Sequence, residues 1–199
     1  FTIGADEWRS SADWPVSAAP LEAFALGERG IERGRAVARR PLRREIAIDY
    51  SVTCPEEIAL SGSRVQPCHL AGQGLSLAGE PLRQPAEVTG HGLADLWIMA
   101  DTPDANLFLM LEDVAPDGTV RIVTEGRLKA SLRQIHDAPW SLPGGIPWHR
   151  AYAEDVQPLS PGVPVRLQFD LLPISYVFAP GHRIQFTITG SDHRERARS

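Results

Sequence analysis

An all-β domain, built as a sandwich or jelly roll, is what this sequence predicts, and three observations carry the prediction. Proline and glycine, 17 of each, are spread along all 199 residues and cut the apolar stretches into pieces of strand length rather than helix length. Several of these pieces alternate apolar and polar residues with period two, the mark of a half-buried antiparallel strand. Turn signals separate them at short intervals, as sandwiches and jelly rolls require.

Taken in order, the chain begins with a stretch of weak signals. Pro20-Leu21-Glu22-Ala23-Phe24-Ala25-Leu26, ahead of Gly27, has room for a turn or two of helix but is too short for a stable isolated one. Arg29, Arg33, Arg35, Arg39, Arg40, Arg43 and Arg44 follow and suggest a phosphate-binding strip, but in an acidic chain they read better as a solvated linker with stems packed on the surface. Residues 1–44 are therefore read as a lead-in segment and linker, and residues 45–199 as the sandwich.

The first alternating strand is Ile46, Ile48, Tyr50 and Val52, followed by an irregular segment from Thr53 to Gly74. Leu93 to Ala100 and Leu107 to Val114 are more continuously apolar, as expected of strands covered on both faces, one cover being a neighbouring domain. Pro116-Asp117-Gly118 turns the chain, since Asp starts such a turn and Gly accepts positive φ, so Leu107–Val114 and Val120–Glu125 pair as a hairpin. Leu128, Ala130 and Leu132, then Val165, Leu167, Phe169 and Leu171, then Ile184, Phe186 and Ile188 complete the alternating series.

Composition narrows the function classes. A domain of this size buries roughly 70% of the surface its unfolded chain exposes, so it needs neither metal nor disulfide to fold. The formal charge of −5 supplies no general attraction to phosphate backbones or anionic membranes, so neither nucleic acid nor a membrane is expected as a partner. No apolar run approaches the roughly 20 residues that span a bilayer. Phe1-Thr2-Ile3-Gly4 has neither a basic stretch nor an apolar core of a signal peptide, and the ends at Phe1 and Ser199 read as cut points, so localisation is not legible. Cys54 and Cys68 could bridge, but nothing in the sequence fixes their distance, and two reduced thiols is the favoured reading.

The search for chemistry yields little. A nucleophile elbow needs a serine on a sharp strand-to-helix turn, and Gly74-Leu75-Ser76-Leu77-Ala78 is the nearest match. Gly79-Glu80-Pro81 would break the required helix, and Leu75 and Leu77 alternate, so Ser76 reads as a strand residue. His69, His91, His136, His149, His182 and His193 lack the close spacing of a zinc site. Asp101 with Asp104, and Glu112 with Asp113, have the composition of calcium or acid–base pairs, but at strand ends such residues cap turns. Trp140 and Trp148 flank a Pro/Gly-rich stretch and suit either a sugar-stacking platform or, preferably, the anchoring of a long loop.

An ordered series of short stretches resembles the X-Pro dipeptidyl-peptidase C-terminal domain of the cocaine esterase and CocE/NonD serine hydrolases. The series runs from Asp6-Glu7-Trp8-Arg9 and Asp13-Trp14-Pro15 through Glu80-Pro81-Leu82, Glu87-Val88-Thr89-Gly90 and Leu96-Trp97. It continues with Asp101-Thr102-Pro103-Asp104-Ala105-Asn106, Glu112-Asp113-Val114, Pro116-Asp117-Gly118 and Glu125-Gly126-Arg127-Leu128-Lys129-Ala130-Ser131. It closes with Leu159-Ser160-Pro161-Gly162, Pro173-Ile174-Ser175-Tyr176-Val177-Phe178, Pro180-Gly181-His182-Arg183-Ile184 and Ser191-Asp192.

The resemblance implies a galactose-binding-like jelly roll behind an α/β-hydrolase domain and a helical cap. It implies further that the Ser-Asp-His triad, which cleaves esters or amides, lies upstream of the Asp-Glu-Trp segment. No catalytic residue, cofactor or metal is then expected here, and the jelly roll is expected to lack its closing strand. On this reading the domain supports the catalytic domain, with homo-oligomerisation open, and the segment from Thr53 to Gly74 is either a simple surface excursion, the favoured reading, or a loop lent to the substrate cleft in which Val65, Cys68, His69 and Leu70 present a mostly apolar wall. The matched motifs also have plain structural roles: Gly162 and Gly181 free the backbone at turns, His182 or Arg183 hydrogen-bonds across a loop, and Tyr176 and Phe178 are core or interdomain aromatics. The rival readings are a stand-alone carbohydrate-binding module and an oligomerisation domain.

Overall fold

The computed structural model describes residues 1–14, 20–34, 43–52, 54, 68–142 and 145–191. Its ten strands are β1 (Phe24–Leu26), β2 (Ile31–Arg33), β3 (Leu75–Ala78), β4 (Ala86–Gly90), β5 (Leu93–Ile98), β6 (Asn106–Val114), β7 (Val120–Lys129), β8 (Val165–Asp170), β9 (Ile174–Phe178) and β10 (Arg183–Thr189). All pairings are antiparallel.

The pairing is nested. β3 pairs with β10, β4 and β5 pair with β9 and β8, and β6 pairs with β7. The segment from β3 to β6 thus runs beside the segment from β7 to β10 as one long double-stranded ribbon, bent where His91-Gly92 faces Leu171–Pro173. Rolling that ribbon lays β10 against β6 and produces the four-stranded sheet β3-β10-β6-β7, with the β4-β9 and β5-β8 pairs as the opposing layer. This is the wrapping of a jelly roll, so the predicted all-β sandwich is the observed architecture.

Period-two alternation fills the space between the layers. Leu107, Leu109, Leu111, Leu128, Ile184 and Ile188 come from the four-stranded sheet, and Ala94, Leu167, Phe169, Leu171, Tyr176 and Phe178 from the facing ribbon. At about 25 cal/mol per Å² of apolar surface removed from water, each fully buried Leu or Phe contributes roughly 1.5–3 kcal/mol before chain entropy is charged. Gly126 permits the close approach of the layers: a Cβ there would strike the Asp170 carbonyl oxygen.

The hairpin between β6 and β7 is as predicted, with Gly118 at φ +87° and the Asp117 carboxylate accepting a hydrogen bond from the Thr119 amide at 2.9 Å. Gly162 and Gly181 also take positive φ. Arg183 reaches the Gly79 carbonyl at 2.8 Å across the loop, and Tyr176 and Phe178 are core aromatics.

Residues 20–26 contain no helix, in keeping with their short length; Phe24–Leu26 pairs with Ile31–Arg33 as a short hairpin that adds Phe24 to Phe186 edge-to-face. Three expectations need correction. Ile46 to Val52 is not a strand: Ile46 packs on the core and Ile48 lies over Gly190, so its alternation reflects one-sided packing without ladder bonds. β7 ends at Lys129, and Ala130–Leu132 forms a 3-10 turn instead of extending the alternation. β6 is covered on both faces as predicted, but β5 is not: Leu93, Trp97 and Met99 stand on an uncovered outer face.

Candidate functional site

The strongest concentration of polar side chains lies on the outer face of the four-stranded sheet. Alternation that points Leu109 and Leu111 of β6 into the core points Met110 and Glu112 the other way. β10 places Gln185 opposite Glu112 and Thr187 opposite Met110, and β3 places Ser76 opposite Thr187. Glu112 is completely buried. A charge there is tolerated because its lone pairs are filled. One oxygen accepts from Gln185 Nε2 at 2.7 Å and Thr187 Oγ1 at 2.5 Å, and the other from His69 Nδ1 at 2.8 Å. Since Thr187 spends its single proton on Glu112, Ser76, at 2.8 Å, donates to Thr187.

His69 is thereby fixed. Its hydrogen bond to Glu112 raises the imidazole pKa above the ordinary value, the carboxylate's charge adds to the effect, and burial opposes it. The neighbouring Cys68 is buried and joined to Cys54 in a disulfide. Reduced thiols were the expectation. The chain folds back so that the two Cα atoms lie 5.9 Å apart, a distance that suits a bridge and that sequence separation alone does not give.

Asp113 occupies the opposite face of β6. Its two oxygens accept from Tyr176 Oη at 2.7 Å and from His182 Nδ1 at 2.8 Å, which confirms a cross-loop role for His182. Burial, together with the Asp113 bond, pushes the Tyr176 phenol up to about 12. Glu112 and Asp113 are therefore not turn caps, as their position suggested, but buried acceptors within a strand that hold two layers of structure. Asp104 does cap: it takes the Ser131 amide at 3.0 Å, the Ser131 hydroxyl at 2.8 Å and the Ala105 amide at 2.9 Å.

The order of contacts decides what this chemistry can do. A nucleophilic serine needs the imidazole between itself and the acid, so that the base touches the hydroxyl and the carboxylate orients the base. Here the acid sits between: Ser76 touches Thr187, Thr187 touches Glu112, and Glu112 touches His69. Asp113 is likewise the centre of its own cluster. Ser76 is a strand residue, as its sequence context indicated, and among the described residues no His/Cys/Asp/Glu group could hold a metal.

Of the predicted cleft residues, Cys68 is buried in the disulfide, His69 turns inward onto Glu112, Leu70 is half-buried, and Val65 lies outside the described residues. His193 and the arginines from 35 to 40 also lie outside them. Trp140 and Trp148 pack edge-to-face at 5.4 Å, and the Trp148 backbone pairs with His136. Sequence reasoning missed the Glu112–His69 pairing because 43 residues separate the partners, although the burial of Glu112 was foreshadowed by its place in a continuously apolar run.

The fold and these clusters define a class first: an antiparallel jelly roll whose buried acids brace the sheets and which holds no nucleophile–imidazole–acid relay among the described residues. The chain belongs to the X-Pro dipeptidyl-peptidase C-terminal non-catalytic domain family, which matches residues 2–197. It is similar to a protein named as a serine esterase in Mycobacterium bovis, 34% identical over 200 residues, covering 96% of this chain and 32% of that protein. It is also similar to the cocaine esterase of a Rhodococcus species, 26% identical over 208 residues and covering 96% of this chain and 33% of the esterase. The chain thus spans about a third of the length of these relatives.

Solved structures agree on the fold. An aminopeptidase from a marine-sediment thaumarchaeote superposes with a TM-score of 0.71 at 20% identity over 96% of this chain and 32% of that one. A CocE/NonD family hydrolase from Staphylococcus aureus superposes with a TM-score of 0.63 at 16% identity over 96% of this chain and 32% of the hydrolase.

Proposed function

We propose that this domain is the buttress of a serine hydrolase acting on esters or amides, held against a catalytic domain that supplies the nucleophile, base and acid. The observation that carries the reading is the alignment of 96% of this chain with only 32% of a serine-esterase relative. The outer face of β5 and β8 supports it. Leu93 and Trp97 are exposed there beside the Arg166–Asp95 ion pair, and Trp97 is 68% exposed. An exposed aromatic set among charged groups suits a protein neighbour.

A narrower role is proposed for Leu70, which follows the inward-turned His69 and is half-buried: to offer an acyl group an apolar contact at the rim of the catalytic domain's cleft. The test uses the intact hydrolase. W97E should lower the yield of assembled, active enzyme without altering the stability of the present chain by more than about 0.5 kcal/mol. L70A should change the ratio of kcat/KM values between short and long acyl esters while S76A leaves turnover unchanged. Identical kinetics for L70A across the series would reject the cleft role, and an ester turnover by the 199-residue chain itself would reject the buttress reading.

A further inference from the structure

A cleft of about 340 Å³ opens at the end of the four-stranded sheet where the loop bearing Trp148 crosses β6 and β7. Its walls are of two kinds. Phe108 and Leu132 give it an apolar surface, while Asn106, Arg127 and Lys129 bring donors to it. Lys129 shares its charge with Asp104 at 3.2 Å, whereas Arg127, opposite Phe108 in the strand register, makes no ion pair among the described residues.

His149 is held in the wall, its Nδ1 3.0 Å from the Gln134 carbonyl oxygen and its Nε2 2.9 Å from the Gln168 carbonyl oxygen. Ala151, also in the cleft wall, is held at φ +57°, a left-handed conformation costly for an L-residue with a Cβ.

We propose that this cleft binds a small monocarboxylate with an apolar body. Arg127 and Lys129 receive the carboxylate, Asn106 supplies a further donor, and Phe108 and Leu132 cover the hydrocarbon. The volume lies at the lower end of small-molecule sites and matches an aryl- or alkyl-acetate better than a larger ligand. Two basic side chains beside an apolar surface favour the acid over its neutral amide, because the carboxylate gains charge-assisted hydrogen bonds that the amide cannot make.

The test is a titration of the 199-residue chain with phenylacetate, followed by amide NMR, with phenylacetamide as the neutral isostere. The expected result is saturable binding in the millimolar range, with shifts centred on Asn106–Phe108, Arg127–Lys129 and Trp148–Ala151, and the amide about tenfold weaker. R127Q, an exposed change on a strand surface, should weaken phenylacetate about tenfold. R83Q, equal in charge but remote from the cleft, should leave binding unchanged. Equal affinity for acid and amide, equal loss in R127Q and R83Q, or no saturable shift would each overturn the proposal. Folding of each variant is read from the dispersion of the same spectra.

Discussion

Replacing Glu112 by alanine should be among the most damaging single changes available in this domain. The side chain has no solvent access and accepts three hydrogen bonds, from His69, Gln185 and Thr187. Hydrogen bonds to a charged group are worth about 1.5–3 kcal/mol each, but their sum overstates the loss. Thr187 can turn its hydroxyl toward Ser76, and His69 can shed its charge. The Gln185 amide and the space left by the missing carboxylate cannot be repaired in this way. The expected cost is that of breaking a buried charge pair, about 3–5 kcal/mol. E112Q keeps the volume and one acceptor oxygen and should cost about 1–2 kcal/mol. Urea unfolding read by tryptophan fluorescence measures both, and an unchanged m-value shows that the midpoint shift is stability. Crossing E112Q with H69Q isolates the pair's coupling. An E112A domain within about 1 kcal/mol of wild type would refute the account of the outer face as a buried polar brace.

Three further predictions test neighbouring parts of the argument. His69 has a folded-state pKa above its ordinary value, so its stabilisation is complete below about pH 6.5 and is lost as pH rises through the raised value; wild type should therefore lose stability toward alkaline pH relative to H69Q in parallel urea titrations. Reducing the disulfide, or replacing both cysteines by serine, opens a loop of about 15 residues and should cost about 3 kcal/mol, seen as a lower urea midpoint in the presence of dithiothreitol. G126A drives a methyl into the Asp170 carbonyl and should cost roughly 1–3 kcal/mol, while G118A at the exposed hairpin should be milder because nothing lies near its Cβ and only positive φ is penalised. Equal effects of the two glycine changes would mean that layer packing is not what Gly126 protects.

Much of the fold was legible from local pattern. The alternation at Val165–Leu171 and Ile184–Ile188 became β8 and β10 because period two has one consequence when a single face is buried. Pro116-Asp117-Gly118 marked its hairpin because the turn's chemistry is local. The same pattern misled at Ile46–Val52, where alternating apolar residues pack onto the core without a neighbouring strand to complete a ladder. It was silent at Phe24–Leu26, where pairing with Ile31–Arg33 makes a strand of a lead-in segment.

What the sequence by itself determined was the class: short alternating runs, frequent turns, and an ordered set of motifs that carried the family. It also indicated that Ser76 is no nucleophile, since Gly79 and Pro81, shortly after it, deny the helix an elbow needs. Tertiary structure alone decided where the polar groups meet. Glu112 with His69, Asp113 with Tyr176 and His182, Cys54 with Cys68, and His149 with two distant carbonyls are pairings set by the rolling of one long ribbon, which brings together residues far apart in the chain. Sequence spacing holds no record of that rolling. The physical reason is that alternation specifies which face a residue takes, whereas partners across that face are chosen by strand register and by how the layers close.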